Sequence, residues 1–310
     1  MRSRALRATT WIGIAAVCLV SSARAADPGD TTAQFLKIGV GAQAAAMGEA
    51  YVAVAQDATA LYWNPAGIAN ARGRELHASH NEWISDVRYE YVAMVQGLKG
   101  HAFGVHAGLL HQGEFDGRDA TGNFTGSFRA YDFVTGLSYG RRVLRSVELG
   151  LTGKVVYSKI QDYTANAFAV DFGIRYRTPI RGLTMAATAT NLGSEMKFIE
   201  EAAVLPAAAR FGLAYRTRAV LSGLVVAADA RFPNDHDPTG HVGAELWVHD
   251  VISLRGGTKL NADEEAGAFG FGIKYSDYVI DYAFVPFAES SELGDTHRLS
   301  FGWRPGAYEE

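Results

Sequence analysis

Apolar and polar residues alternate with a period of two from Arg74 to the end of the 310-residue chain. In one stretch Leu149 and Leu151 share a face, whereas Glu148 and Lys154 fall on the other. Side chains of a β-strand point alternately to the two faces of a sheet, so each such stretch is predicted to be a strand. Fourteen stretches are separated by turn residues, and they begin near Arg74, Tyr89, His101, Ala130, Val147, Ala165, Leu183, Ala207, Leu224, His241, Ile252, Ala268, Tyr278 and Thr296.

Strands of this kind occur both in soluble sandwiches and in transmembrane barrels. The composition of the two strand faces distinguishes these two architectures. One face mixes charges of both signs with Gly, Ala, Ser and Thr, as in a polar barrel interior, whereas a sandwich would expose a face dense in Lys, Glu and Asp. The other face is apolar and carries rings near strand ends, where a membrane meets water. Those rings are Tyr89, Tyr91, Tyr131, Tyr139, Tyr157, Tyr176, Tyr215, Tyr275, Tyr278, Tyr282 and Trp303. We therefore predict an all-β fold, a transmembrane antiparallel β-barrel of about 14 strands.

The charged residues of the first face are predicted to face the barrel lumen. Six are acids and seven are bases, and this near balance favours pairing among them over strong ion selectivity. They are Glu90, Glu148, Lys154, Asp171, Arg175, Arg210, Asp229, Arg231, Glu245, Arg255, Lys274, Asp281 and Arg298. The long connections near His111–Phe128, Ser194–Pro206, Phe232–Gly240 and Phe287–Asp295 are predicted to be surface-exposed loops.

The N-terminus reads as a secretory signal. Arg2, Arg4 and Arg7 precede an apolar run, and small residues lead up to Ala25, so residues 1–25 are predicted to be a signal peptide cleaved near Ala25. The sole cysteine, Cys18, lies within this segment, so the mature chain would hold neither disulfides nor thiolate metal sites. The formal charge of -4 includes the arginines of the signal, so no nucleic-acid partner is predicted. We expect Sec export to the outer membrane of a Gram-negative cell, with outer-membrane lipid around the barrel.

The segment between the signal and the first strand has a different texture. Residues 26–73 are rich in Ala and Gly, have few charges and show no sustained alternation, so they are predicted to form short helices and turns. Pro65 is expected to begin or end such a turn. The predicted division is therefore 1–25 signal peptide, 26–73 N-terminal hatch or plug segment, and 74–310 barrel.

Three motifs in this segment carry a family resemblance. Residues Phe35–Gly41 (FLKIGVG), Ala46–Ala60 (AMGEAYVAVAQDATA) and Tyr62–Ala69 (YWNPAGIA) resemble the N-terminal signature of the PorV/PorQ family, which is related to FadL-type barrels that share the Asn-Pro-Ala turn. Two positions depart from it: Glu49 stands where the family usually has a second Gly, and Gln56 where an acid is common. The resemblance implies a fourteen-stranded barrel whose N-terminal segment folds into the lumen as a hatch.

The candidate site lies in this hatch. Asn64 and Pro65 could help hold a ligand, but they are more simply expected to turn the chain, with the Asn side chain bonding backbone groups. Several apolar hatch residues could line a pocket for a hydrophobic ligand or pack the hatch against the barrel wall, and the two roles can coexist. The hatch residues proposed for ligand binding are Phe35, Leu36, Met47, Leu61, Tyr62, Trp63, Asn64 and Pro65.

An outer-membrane lipid hydrolase is the alternative from another functional class. His77, Ser79 and His80 invite a Ser/His reading, but Ser79 and His80 point to opposite faces of one strand and cannot pair there. His106 and His111 have no acid at metal-ligand spacing, so no metal and no cofactor is predicted.

A non-enzymatic barrel is therefore the favoured hypothesis. The resemblance implies one of two functions. The first is passage of hydrophobic solutes, as in FadL-type members, and the second is an accessory barrel role in type IX-like protein secretion, as in PorV-type members. The expected partners are accordingly hydrophobic small molecules or secretion-system proteins. A soluble periplasmic β protein remains the third hypothesis.

Overall fold

The computed structural model describes residues 31–82, 87–261, 267–286 and 295–305. Fourteen strands form one closed antiparallel barrel, which confirms the predicted architecture. Thirteen predicted strand starts agree with the structure to within two residues, and the fourth strand begins at Phe124 rather than near Ala130. The predicted signal peptide lies outside the described residues. None of the helices in the described ranges is long and apolar enough to cross a membrane.

The barrel strands follow one another in chain order, and the last strand closes on the first, with Leu76 opposite Trp303. A separate two-stranded hairpin, formed by Met196–Phe198 and Glu201–Ala203, lies in the connection between two barrel strands, Leu183–Gly193 and Ala208–Thr217, and these two barrel strands pair with each other. The strands are β1 (Arg74–Glu82), β2 (Arg88–Leu98), β3 (His101–Arg118), β4 (Phe124–Leu144), β5 (Val147–Ile160), β6 (Tyr163–Arg177), β7 (Leu183–Gly193), β8 (Met196–Phe198), β9 (Glu201–Ala203), β10 (Ala208–Thr217), β11 (Gly223–Pro233), β12 (Thr239–Val248), β13 (Ile252–Leu260), β14 (Ala268–Tyr275), β15 (Tyr278–Val285) and β16 (Thr296–Trp303).

The two ends of the barrel differ in their connections. At the end where β1 begins, which we call the proximal rim, short turns join β2 to β3 at residues 99–100 and β14 to β15 at residues 276–277. At the opposite end, the distal rim, β3 and β4 rise as a long hairpin in place of the surface loop predicted at residues 111–128. The reason is that β3 and β4 continue to pair with each other beyond the ends of the neighbouring strands. The turn-rich composition of this segment did not reveal that pairing.

The two faces of the barrel carry the predicted chemistry. Leu137, Phe168 and Tyr275 are 71%, 66% and 80% exposed on the outer face, as side chains that contact lipid would be. Glu148 and Arg175, in contrast, are buried on the inner face. Alternation therefore places the apolar side chains outward and the charged ones in the lumen.

The inward and outward faces of strand β2 are the reverse of those predicted. Tyr89 and Tyr91, predicted among the outer rings, are buried in the lumen, where Phe35 packs edge-on against Tyr89 with ring centroids 6.4 Å apart. Glu90 lies between them on the strand and therefore faces outward, with its Oε1 2.6 Å from Nδ1 of His80. The physical reason is that the hatch gives the two rings an apolar surface on which to bury, which the strand alone does not show.

The N-terminal segment lies inside the barrel as a hatch of short helical elements. They are a 3-10 turn at Gln34–Lys37, helices at Ala42–Ala46 and Ala60–Trp63, and a second 3-10 turn at Pro65–Asn70. Glycines in the wall permit this close approach. A Cβ at Gly243 or Gly257 would lie 2.2 or 2.1 Å from backbone atoms of Met47, so only glycine lets the hatch touch the strands there.

Candidate solute pocket

A pocket lies in the distal half of the lumen, between the hatch and the wall formed by β2–β7, β10 and β11. About 650 Å³ of space between atoms lies in and around this pocket, and that volume includes open solvent. Four of the hatch residues proposed for ligand binding line it: Leu36, Leu61, Tyr62 and Trp63. The wall contributes Tyr89, Tyr91, His106, Val134, Lys154, Asp171, Thr188, Thr190, Asn191, Ala208, Arg210 and Arg231.

The hatch side of this distal pocket is aromatic, and its polar atoms are already bonded. Trp63 Nε1 donates a hydrogen bond to the carbonyl of Val40 at 2.9 Å, and the Tyr62 hydroxyl donates to the carbonyl of Leu36 at 3.1 Å. The two rings meet edge to face with centroids 5.0 Å apart. Because these bonds satisfy the polar tips, the rings offer mainly apolar surface to the pocket.

The other four proposed hatch residues have different places. Phe35 and Met47 are buried against the wall. Asn64 accepts a hydrogen bond from the Ala66 N–H at 3.1 Å, and its Nδ2 donates to the carbonyl of Val52 at 3.2 Å. Asn64 and Pro65 thus turn the chain, in the way expected for an Asn that bonds backbone groups.

A β-bulge shapes the polar side of the distal pocket. Thr190 and Asn191 of β7 together oppose Asp171 of β6, and Asn191 adopts a φ of 58°. This turns its backbone N–H toward Asp171 Oδ1 at 2.7 Å, while Lys154 Nζ lies 2.7 Å from the same carboxylate oxygen. The cluster satisfies its own charges, and nothing in the period-two pattern indicated it.

Two acids attach the hatch to the wall below the distal pocket. Asp229 Oδ2 accepts the backbone N–H groups of Tyr51 and Val52 at 2.8 and 2.9 Å. The Glu49 carboxylate lies 3.1 Å from Lys259 Nζ and 3.9 Å from a guanidinium nitrogen of each of Arg210 and Arg298. Glu49 also has a φ of 62°, a region that favours glycine, at the position where the resembled family usually has Gly.

Arg210 joins this attachment to the pocket wall. Its Nη1 donates to the carbonyl of Glu49 at 2.9 Å, and its guanidinium carbon lies 5.0 Å from the centroid of the Trp63 ring. A cation at this distance from an indole face is attracted to the ring. The same arginine therefore fixes both the hatch backbone and one aromatic wall of the distal pocket.

The remaining predicted lumen charges pair among themselves. Glu148 contacts Arg175 and Arg177 at 3.0 Å each. Arg255 bridges two acids, Glu245 at 2.7 Å and Asp281 at 2.6 Å. Arg231 lies on the wall of the distal pocket, and Lys274 lies on the inner face near the proximal rim. Apart from Glu90, the predicted set lies on the lumen side of its strands.

The first-strand Ser/His pair does not form a hydrolytic site in the described part of the chain. His77 and Ser79 share the inner face of β1, but no hydrogen bond joins them, and His77 Nε2 is buried without a partner. His80 is on the outer face with Glu90. Among the described residues, no group of three or more His, Cys, Asp or Glu side chains could hold a metal ion.

Sequence reasoning missed eight wall residues of the distal pocket: Tyr89, Tyr91, His106, Val134, Thr188, Thr190, Asn191 and Ala208. Tyr91 stacks on the His106 ring with centroids 5.6 Å apart. The lower half of β2 is apolar on both faces, where Val92 and Met94 face outward, so alternation did not define which face turns inward. Arg88 and Glu90 lie on the outward face near the distal end, so the expectation that charged side chains face the lumen assigned the two faces of β2 the wrong way round.

A family profile matches residues 10–305 of the chain, which is nearly its whole length. The chain belongs to the Uncharacterised protein family (UPF0164). No curated protein sequence matches this UPF0164 member.

Solved structures of similar fold include two toluene transporters and a monoaromatic hydrocarbon channel. The Ralstonia pickettii toluene transporter TbuX is 14% identical, with a TM-score of 0.65 over 86% of this chain and 98% of that one. The Pseudomonas putida toluene transporter TodX is 15% identical, with a TM-score of 0.63 over 86% and 98%. The CymD monoaromatic hydrocarbon channel is 14% identical, with a TM-score of 0.62 over 86% and 97%. At these identities the likeness shows a shared FadL-like barrel fold, and membership in the PorV/PorQ family stays a prediction.

Proposed function

We propose that this protein is an outer-membrane channel for small hydrophobic solutes, and that it is not an enzyme. The observation that carries the proposal is the distal pocket, an aromatic-walled space between a lumenal hatch and a closed barrel. The names of the structures with the same fold, toluene transporters and a monoaromatic hydrocarbon channel, support this class of solute. The lipid-facing apolar belt and the signal expected at residues 1–25 support an outer-membrane location.

The connections support one orientation. Bacterial outer-membrane barrels have short periplasmic turns and longer extracellular loops. On this rule the proximal rim faces the periplasm and the distal rim faces the outside, so a solute from outside meets the distal pocket first. The hatch lies below that pocket, and its displacement would open the route inward.

Filling the distal pocket tests the proposal. Ala208 lines the pocket and is 8% exposed, so Ala208→Trp would occupy its space. Ala228, on the neighbouring strand β11, faces outward, and Ala228→Trp adds the same ring on the lipid side. We expect cells that lack their own hydrocarbon channels to take up radiolabelled toluene when they express the protein, and Ala208→Trp to reduce this uptake at least tenfold while Ala228→Trp preserves it.

Equal uptake in the two variants would contradict a route through the distal pocket. Both proteins must also change gel mobility on heating, which shows that each barrel has folded. The accessory role in type IX-like secretion stays a prediction, and a loss of secreted proteins after deletion of the gene, with toluene uptake unchanged, would favour it. The hydrolase alternative would require lipid hydrolysis that Ser79→Ala abolishes.

A further inference from the structure

Three neighbouring turns of the proximal rim share one composition. They join β4 to β5, β6 to β7 and β10 to β11, and they lie side by side because β5 pairs with β6 and β7 pairs with β10. Residues 141–146, 177–182 and 216–222, which we call the arginine sector, contain seven arginines and no acid. Two other turns of this rim, after β12 and after β14, contain Asp250 and Asp277. Unbalanced positive charge is therefore concentrated on one side of the rim, in Arg141, Arg142, Arg145, Arg177, Arg181, Arg216 and Arg218.

The arginine sector also exposes large aliphatic side chains. Leu144, Ile180 and Leu221 are 61%, 62% and 64% exposed. Small and polar residues dominate ordinary turns, so aliphatic tips on three turns in a row need a reason. Leu221 in addition has a φ of 46°, a backbone region that favours glycine. A leucine at such a position gains neither an unstrained backbone nor burial from the barrel itself, which indicates a contact with another molecule.

Hydrogen bonds hold the three turns in one surface. Arg177 Nη2 donates to the carbonyl of Arg145 at 2.9 Å, which joins the first turn to the second. The Arg216 N–H donates to the carbonyl of Gly182 at 2.9 Å, which joins the second turn to the third. The charged and aliphatic side chains are therefore presented together by an ordered part of the rim.

The place of the arginines argues against membrane lipid as the partner. Lipid headgroups surround the outer side of a barrel, but Arg177 pairs with the buried lumenal acid Glu148 at 3.0 Å. Arg142 donates a hydrogen bond to Asn70 Oδ1 at the end of the hatch. Part of the arginine sector therefore borders the mouth of the lumen, which lipid does not reach. The aliphatic tips argue against a polar polymer such as peptidoglycan, because they need an apolar counterpart.

We propose that the arginine sector is a docking surface for a periplasmic protein, which contacts it with an acidic segment that also carries aliphatic side chains. Carboxylates of that segment would pair with the arginines, and its aliphatic side chains would pack on Leu144, Ile180 and Leu221. From β4 to β11 the sector spans about 24 Å at the usual strand spacing, which matches a helix of about 16 residues. The docking surface rests on the proposed function only for its periplasmic side, and it places the partner where a solute would leave the barrel.

A defined peptide tests the docking surface. The probe is a fluorescein-labelled helix of about 16 residues made of Glu, Ala and Leu, with the leucines on one face. The full chain is held in phosphatidylcholine nanodiscs. We expect saturable binding to wild type that weakens as salt is raised, and none for the peptide in which Lys replaces Glu. Arg145→Gln/Arg181→Gln/Arg218→Gln should weaken binding roughly tenfold, because each exposed ion pair changes affinity by about 1.5- to 5-fold.

Two further variants are matched to this one. Ile180→Ser/Leu221→Gly should also weaken binding roughly tenfold through loss of apolar contact, and glycine suits the backbone of residue 221. Arg129→Gln/Lys159→Gln/Lys197→Gln removes three charges at the distal rim and should bind the peptide as wild type does. Every variant must keep the heat-dependent gel mobility of a folded barrel.

Several results would overturn the docking surface. The first is a lack of saturable binding to wild type, or equal affinity of the proximal and distal arginine and lysine variants for the peptide. The second is retention of phosphatidylglycerol by the purified barrel that the proximal variant loses, because the arginines would then serve the leaflet. In a Cys18→Ser background, Leu221→Cys should react with a membrane-impermeant maleimide only after cell lysis, and labelling of intact cells would rule out a periplasmic partner. Toluene uptake tests the channel separately, so failure of one proposal is distinguishable from failure of the other.

Discussion

The attachment of the hatch through Asp229 gives a quantitative prediction. Its Oδ2 accepts the N–H groups of both Tyr51 and Val52, and both groups are buried where the hatch meets β11. Asp229→Ala removes the acceptor and leaves two buried N–H groups without it. Arg210 also loses one of its two acidic neighbours. The substitution therefore acts directly on the hatch backbone.

The magnitude follows from the two bonds. Each hydrogen bond to a charged group contributes about 1.5–3 kcal/mol. Removal of both bonds should therefore lower the free energy that holds the hatch against the wall by at least about 3 kcal/mol. About 1.4 kcal/mol corresponds to a factor of ten in an equilibrium constant, so the population with a displaced hatch should rise on the order of 100-fold.

Cysteine labelling can measure that population. In a Cys18→Ser background, Val54→Cys places a single thiol in the hatch at a position that is 4% exposed, so a maleimide reaches it when the hatch moves. Asp229→Ala should accelerate labelling about 100-fold. Asp132→Ala is the matched control, because that lumenal acid bonds Gln112 and Ser158 of the barrel itself. Labelling rates within threefold of each other in the two variants would refute the reasoning.

Two further predictions concern the hatch contacts. Gly257→Ala puts a Cβ 2.1 Å from Met47 and should lower the temperature at which the folded gel mobility is lost, whereas Gly153→Ala, with no atom within 4 Å, should leave it unchanged; equal midpoints would contradict the close approach. In the distal loop, burial raises the pKa of Asp235, but hydrogen bonds from Lys37, Thr31 and His236 outweigh it and lower the pKa to about 2. A lowered pKa stabilises the fold above the ordinary value near 3.8, and that contribution is lost as the pH falls through about 2. The thermal midpoint of Asp235→Asn should therefore lie below wild type at pH 5 and approach it near pH 2, and a gap that persists at pH 2 would count against this origin.

The strands and their outward faces were predictable because period-two alternation is a local property. Leu149 and Leu151 point outward and Glu148 points into the lumen because neighbouring side chains of any strand alternate between its two faces. Strand β2 shows where this reasoning ends. Its apolar residues occur on both faces, and the burial of Tyr89 and Tyr91 depends on Phe35 and His106, which lie elsewhere in the chain.

By itself, the sequence determined the all-β architecture, the number of strands, the hatch segment and the charged character of the lumen. The tertiary structure alone decided which wall residues meet the hatch residues around the distal pocket. The distal pocket brings hatch residues such as Trp63 to wall residues such as Arg210, and the bulge at Asn191 turns a backbone N–H toward Asp171. These contacts join residues from separate strands through barrel closure and register, which no period in the sequence encodes.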